Sequence, residues 1–177
     1  MNLIQERTGG QPDSPLTGER GDLLKTLRQH RGFLRYTVRG ITDEQARMRT
    51  GGASQLTLGG LVKHVAHTEA GWARFMAGGA ELMESVPADW EGEFQLKADE
   101  TLAGVLAFYD EVAARTDELI ATLDLDAEHP LPVAPWFEAG ASWSVRRVVL
   151  HLVAETSQHS GHADIIREGL DGQKTMG

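Results

Sequence analysis

The chain has 177 residues, 41% of them hydrophobic and 24% charged, which is the size and balance of one globular domain and excludes wholesale disorder. Basic side chains number 17 against 26 acidic ones, a formal net charge of -9 that opposes binding to nucleic acid or to an anionic membrane surface. There is no cysteine, so disulfides, thiolate metal ligands and a protein thiol nucleophile are excluded, and any metal must be held by His, Asp, Glu or water.

Residues 1–16 read as a polar N-terminal tail broken by Gly9, Gly10 and Pro12. They lack the basic start and apolar run of a signal peptide. No stretch approaches the roughly 20 apolar residues of a membrane span, so a cytoplasmic location is expected. Residues 17–177 are expected to form one domain. A first helix is predicted from Thr17 to Val38, because Leu23, Leu27, His30, Leu34, Val38 and Ile41 recur at spacings of three and four. Gly40 stops it, and Thr42-Asp43-Glu44-Gln45 then matches a capping box.

The second helix is predicted from Leu58 to Met76, with Thr57 as N-cap and Leu58, Leu61, Val62, Val65, Thr68, Trp72 and Met76 as its stripe. Gly78-Gly79 ends it, and residues 80–98, with Pro87, Trp90 and Gly92, read as a crossover connection. The third helix, Asp99 to Leu123, keeps a three-four pattern through Leu102, Val105, Tyr109, Val112, Thr116, Leu119 and Leu123. Residues 124–142 hold Pro130, Pro132, Pro135 and Gly140 and are predicted to be loop. The fourth helix is predicted from Trp143 to Gly169, capped by Ser142 or Ser144. No segment alternates as a strand does. Four amphipathic helices predict an all-α four-helix bundle, and the long link between the second and third allows an up-down-down-up course.

The last helix carries the chemistry. Its stripe is Val145, Val148, Leu152, Glu155, His159, His162, Ile166 and Leu170, apolar at both ends and ionisable in the middle. A buried ionisable group is costly unless it is paired or bound to a metal. Glu155 and His159 lie about 40° apart around the axis and about 6 Å apart along it, close enough to share one ion. His159 and His162 are an alternative pair, whereas Glu155 and His162 are roughly 10 Å apart along the axis. A third ligand is expected from the second helix, where His64 lies about 100° from the Val65 stripe centre and His67 about 160° away, on the solvent side. The predicted set is His64, Glu155 and His159, and three protein ligands with one position open is the arrangement of a catalytic site. The competing account is a buried carboxylate–imidazole pair without metal. His30 and His151 are expected to be hydrogen-bonded core residues, and His67 and His129 to be solvated. Trp72, Phe75, Tyr109, Trp136 and Trp143 are expected either to line a pocket above the ion or simply to pack. There is no phosphate loop, nucleophile elbow or basic stripe.

The segments TLGGLVKHVAHTEAGWARF at 57–75 and SWSVRRVVLHLVAETSQHSGHADIIREGLDG at 142–172 resemble the DinB-like superfamily, and within it an actinobacterial-type branch. The resemblance runs from residue 17 to residue 170. It implies an up-down-down-up four-helix bundle with a divalent metal held by a histidine midway along the second helix, here His64, and by two residues four apart on the last helix. Many members have two histidines there. In this chain the later one is His159 and the earlier position is Glu155, a departure shared in appearance with the related mycothiol-dependent maleylpyruvate isomerases. Position 162 is commonly glutamine, which makes His162 an outer-sphere or alternative ligand.

The resemblance further implies thiol-dependent chemistry. A mycothiol- or bacillithiol-type cosubstrate and a small electrophile would meet at a metal-bound thiolate, in a cytoplasmic protein that forms a homodimer. A metal-dependent hydrolase and a non-catalytic metal- or ligand-binding stress protein are the alternatives. Two nitrogens and a carboxylate suit zinc or nickel, and also iron or manganese.

Overall fold

The computed structural model describes residues 16–50, 53–86 and 92–175. The predicted tail up to residue 15, and Pro87 and Trp90 of the crossover, lie outside the described residues. The elements are α1 (Gly18–Thr37), α2 (Asp43–Arg47), α3 (Leu58–Glu84), α4 (Leu102–Thr122), β1 (Glu128–Pro130), β2 (Ser142–Ser144) and α5 (Val145–Asp171). Four of these are the expected long helices, and α2 is the short piece after Gly40.

Local chemistry sets the helix starts. Both hydrogen bonds of the Thr42–Gln45 capping box are present at α2. The side chains of Thr57, Thr101 and Ser144 accept from backbone N–H groups at the starts of α3, α4 and α5, each satisfying a donor the helix cannot.

The structure corrects two boundaries. Gly78 and Gly79 break α3 with non-helical backbone angles, but the helix resumes to Glu84. Gly79 takes a φ of 73°, which a side chain would resist. The stretch expected to be loop holds a small antiparallel hairpin, β1 against β2, with His129 opposite Trp143. Trp143 is therefore in a strand and α5 starts two residues later. Strands of three residues are too short to show an alternating pattern.

The register of the cross-helix contacts fixes the course of the chain. Arg146 on α5 meets Glu19 on α1, Ser160 meets the His30 carbonyl, and Arg167 meets the Thr37 and Arg39 carbonyls, so α1 and α5 are parallel. Arg20 bonds to the Leu123 carbonyl, Arg28 to Asp117 and Arg35 to Asp110, so α1 and α4 are antiparallel. Contacts of Lys63 with Glu100 and of His67 with Phe108 make α3 and α4 parallel. The bundle is up-down-down-up, and joining two parallel helices requires the connection from residue 85 to residue 101 to run the length of the bundle.

The core is buried in two stretches. One gathers Leu34, Leu58, Leu61, Val62, Val65 and Tyr109, and the other Leu27, Trp72, Phe75, Ile120, Val148 and Leu152. Between them lies a buried ion set that the residue types did not announce. Arg31 is 4% exposed and Glu69 0%, and the guanidinium meets the carboxylate through two hydrogen bonds of 2.5 and 3.0 Å while a third reaches Asp117 at 2.6 Å. Burial works against the charge on Arg31, but Glu69 and Asp117 outweigh it and raise its pKa.

Removing one partner of a buried ion pair leaves the other uncompensated. Glu69→Ala is expected to lower stability by about 3–5 kcal/mol, read from urea denaturation. A loss below about 1 kcal/mol would place the pair among solvent-screened ones.

Candidate metal centre

On α5 the three-four spacing turns Glu155 and His159 toward α3, and on α3 the same period turns His64 toward α5. A single carboxylate oxygen links them. Glu155 Oε1 lies 3.0 Å from His64 Nε2 and 3.1 Å from His159 Nε2. One ligand atom from each residue can be chosen such that all lie within 4.8 Å of one another, a grouping of His64, Glu155 and His159 that could hold a metal ion. Their side chains are 13%, 20% and 11% exposed, partly withdrawn from water but not sealed.

The electrostatics follow from these contacts. Burial disfavours an imidazolium at His64, but the hydrogen bond to Glu155 and the carboxylate of Glu93 outweigh it and push the pKa up to about 9. The hydrogen bonds from His159 and His64 hold the Glu155 carboxyl far below the usual carboxylate range, against the opposing effect of burial. Without an ion, therefore, Glu155 is a carboxylate shared between two imidazole donors.

The other histidines fall into separate places. His67 is exposed and meets the ring of Phe108 edge-on. His162 does not join the group of three. Its Nδ1 lies 3.4 Å from Nδ1 of His159, behind that ring, and on its other side it lines an open groove of about 350 Å³ with Thr50, Leu56 and Ile165. His151 is half-buried, edge-on to Trp72 and Trp143. His30 is half-buried beside Phe33. His129, expected to be solvated, is instead half-buried on β1 against Phe75 and the kink at Gly79. Among the aromatics, Trp72, Phe75 and Trp143 pack together in the second core stretch, Tyr109 is buried in the first, and Trp136 is 67% exposed.

Two residues near the centre escaped the sequence. Glu93 and Phe94 lie in the crossover, where no periodicity points inward. The Phe94 ring stacks on His64 with centroids 4.1 Å apart and planes at 25°. Glu93 Oε1 comes within 3.2 Å of His64 Nδ1, out of line for a well-formed hydrogen bond, so Nδ1 is buried without an aligned partner. A carboxylate just past a crossover glycine was the available signal, and it is a weak one.

A family model described as mycothiol-S-transferase matches residues 22–172, in agreement with the DinB-like resemblance. No curated protein matches the chain.

The raised pKa of His64 carries a sign that can be checked in protein stripped of metal by a chelator. The imidazolium–carboxylate contact stabilises the fold fully below an ordinary histidine pKa of about 6.5 and is lost as pH rises through about 9. An NMR titration of the His64 ring should give a midpoint near 9. In Glu155→Gln that midpoint should fall, and the loss of stability across this interval should flatten. An unshifted midpoint in the variant would show that Glu155 does not hold the proton.

Proposed function

The chain belongs to the mycothiol-S-transferase family, and on that premise we propose that it is a divalent-metal-dependent S-transferase or isomerase acting on a low-molecular-weight thiol and a small electrophile. The observation that carries this reading is the convergence of His64, Glu155 and His159 in a chain without a cysteine of its own. These three residues would hold the ion, with zinc or nickel favoured by the ligand set and iron or manganese also compatible. A divalent ion there would lower the pKa of a cosubstrate thiol and supply a thiolate near neutral pH.

The chain's own groups suit that task. Glu155, ionised across the neutral range, offsets one of the two charges of the ion. His64 and His159 are neutral donors once their Nε2 atoms are free of protons. Three protein ligands leave a position for an outside group. Because His64 holds its proton up to about pH 9, an ion must displace it, and affinity should rise with pH across that range.

Elemental analysis and metal titration address the centre. Glu155→Ala and His64→Ala are expected to weaken zinc binding by orders of magnitude, whereas His67→Ala should leave it unchanged. His162→Ala should cost about 10–100-fold, the range for a group that orients a ligand. Loss of binding in His162→Ala with retention in Glu155→Ala would reassign the ligands to His64, His159 and His162.

Activity is tested by incubating metal-loaded protein with mycothiol, bacillithiol or glutathione and a generic electrophile. Turnover that requires a thiol is the expected result. Hydrolysis that needs no thiol would make the same centre a metal-dependent hydrolase. Metal binding with neither activity would make the protein a non-catalytic binding protein.

A further inference from the structure

The contact between α3 and the crossover is built rather than incidental. Lys63, 2% exposed, donates to the carbonyls of Gly92 and Gln95 at 3.2 and 3.3 Å and to Glu100 at 2.9 Å. Gly60 lets the segment come close, since a Cβ there would fall 1.8 Å from the Phe94 carbonyl oxygen. Leu96 packs over Gly59 and is buried in the first core stretch. The segment is therefore pinned on both sides of the two residues that touch His64.

Proton placement then gives those residues a task. Both Nε2 atoms face Glu155, so an ion accepting all three ligands must bind there. A neutral imidazole whose Nε2 is a ligand carries its proton on Nδ1. For His159, Nδ1 faces Nδ1 of His162. For His64, Nδ1 is buried with no aligned partner, and the Glu93 carboxylate, 13% exposed, lies 3.2 Å away beside it. Glu93 lies on the opposite edge of the ring from Glu155 and outside the converging group, so it suits an acceptor for His64 and not a fourth ligand.

We propose that Glu93 and Phe94 are positioning residues of the metal centre, Glu93 accepting the Nδ1 proton of His64 and Phe94 fixing the plane of its ring so that Nε2 is presented to the ion. This rests on the reading that His64, Glu155 and His159 bind a metal. A hydrogen-bonded carboxylate behind a ligating histidine fixes its tautomer and strengthens it as a donor.

The test compares zinc affinity, by competition with a chromophoric chelator, in wild type, Glu93→Leu and Glu93→Gln. It adds the nitrogen NMR shifts of the zinc-bound His64 ring and the melting temperature of each chelator-stripped protein. Glu93→Leu should weaken zinc about 10–100-fold. Glu93→Gln, whose amide oxygen can still accept from Nδ1, should recover most of that loss and keep the Nδ1-protonated form. Wild-type affinity in Glu93→Leu would overturn the proposal while leaving the metal centre intact. So would a Gln variant no better than Leu, with melting temperatures reduced alike. A wild-type protein that binds neither zinc, nickel, iron nor manganese would remove the metal centre itself.

Discussion

The buried guanidinium of Arg31 sets the frame in which everything else is measured. It ties α1 to α3 through Glu69 and to α4 through Asp117. An ion set so withdrawn from water is a poor source of net stability, because desolvation cancels much of the Coulombic attraction. Its effect is to penalise other registers, since sliding either helix by a turn would leave a charge buried without a partner. Glu69 follows His64 by five residues, roughly 140° around the helix. Fixing Glu69 against α1 therefore turns His64 toward α5, where Glu155 and His159 wait.

The helices and the three converging residues of the candidate centre were legible because both obey one rule. Spacings of three and four mark the face that a helix buries, and they singled out Glu155 and His159 as ionisable members of an apolar stripe and His64 over His67. Capping chemistry was equally local, so Thr42, Thr57 and Ser144 could be read from a few neighbouring residues. The stripe on α5 was less clean than its letters suggested. Thr156, Ser160 and Ala163 are more deeply buried than Glu155, His159 and His162, so the ionisable row lies at the edge of the buried face.

What was hidden depended on partners far along the chain. Arg31, Lys63 and Glu69 belong to residue types that are exposed unless paired, and their partners are 38 or more residues away or, for Lys63, in an aperiodic connection. Glu93 and Phe94 were invisible for the same reason. Their place follows from the parallel arrangement of α3 and α4, which drives the connection back along the bundle, and from Gly60, which lets that connection lie against the helix. The β1–β2 hairpin was masked by prolines and brevity. The resumed turn after Gly78-Gly79 was masked by a glycine pair that bends α3 without finishing it.

The pairing of the first long helix with the last has a consequence for how the protein comes into being. The contacts of α1 with α5 span up to 130 residues, and the contact that joins His64 to Glu155 spans 91. A chain made from its N-terminus can assemble α1, α3 and α4 around Arg31 and Glu69 while synthesis continues. The face that α5 covers stays open until α5 itself has been made. Apolar surface along that face is exposed until α5 docks, and long-range closure of this kind slows folding relative to bundles of sequential neighbours. The grouping of His64 with Glu155 and His159, drawn from both α3 and α5, can form only after α5 has docked.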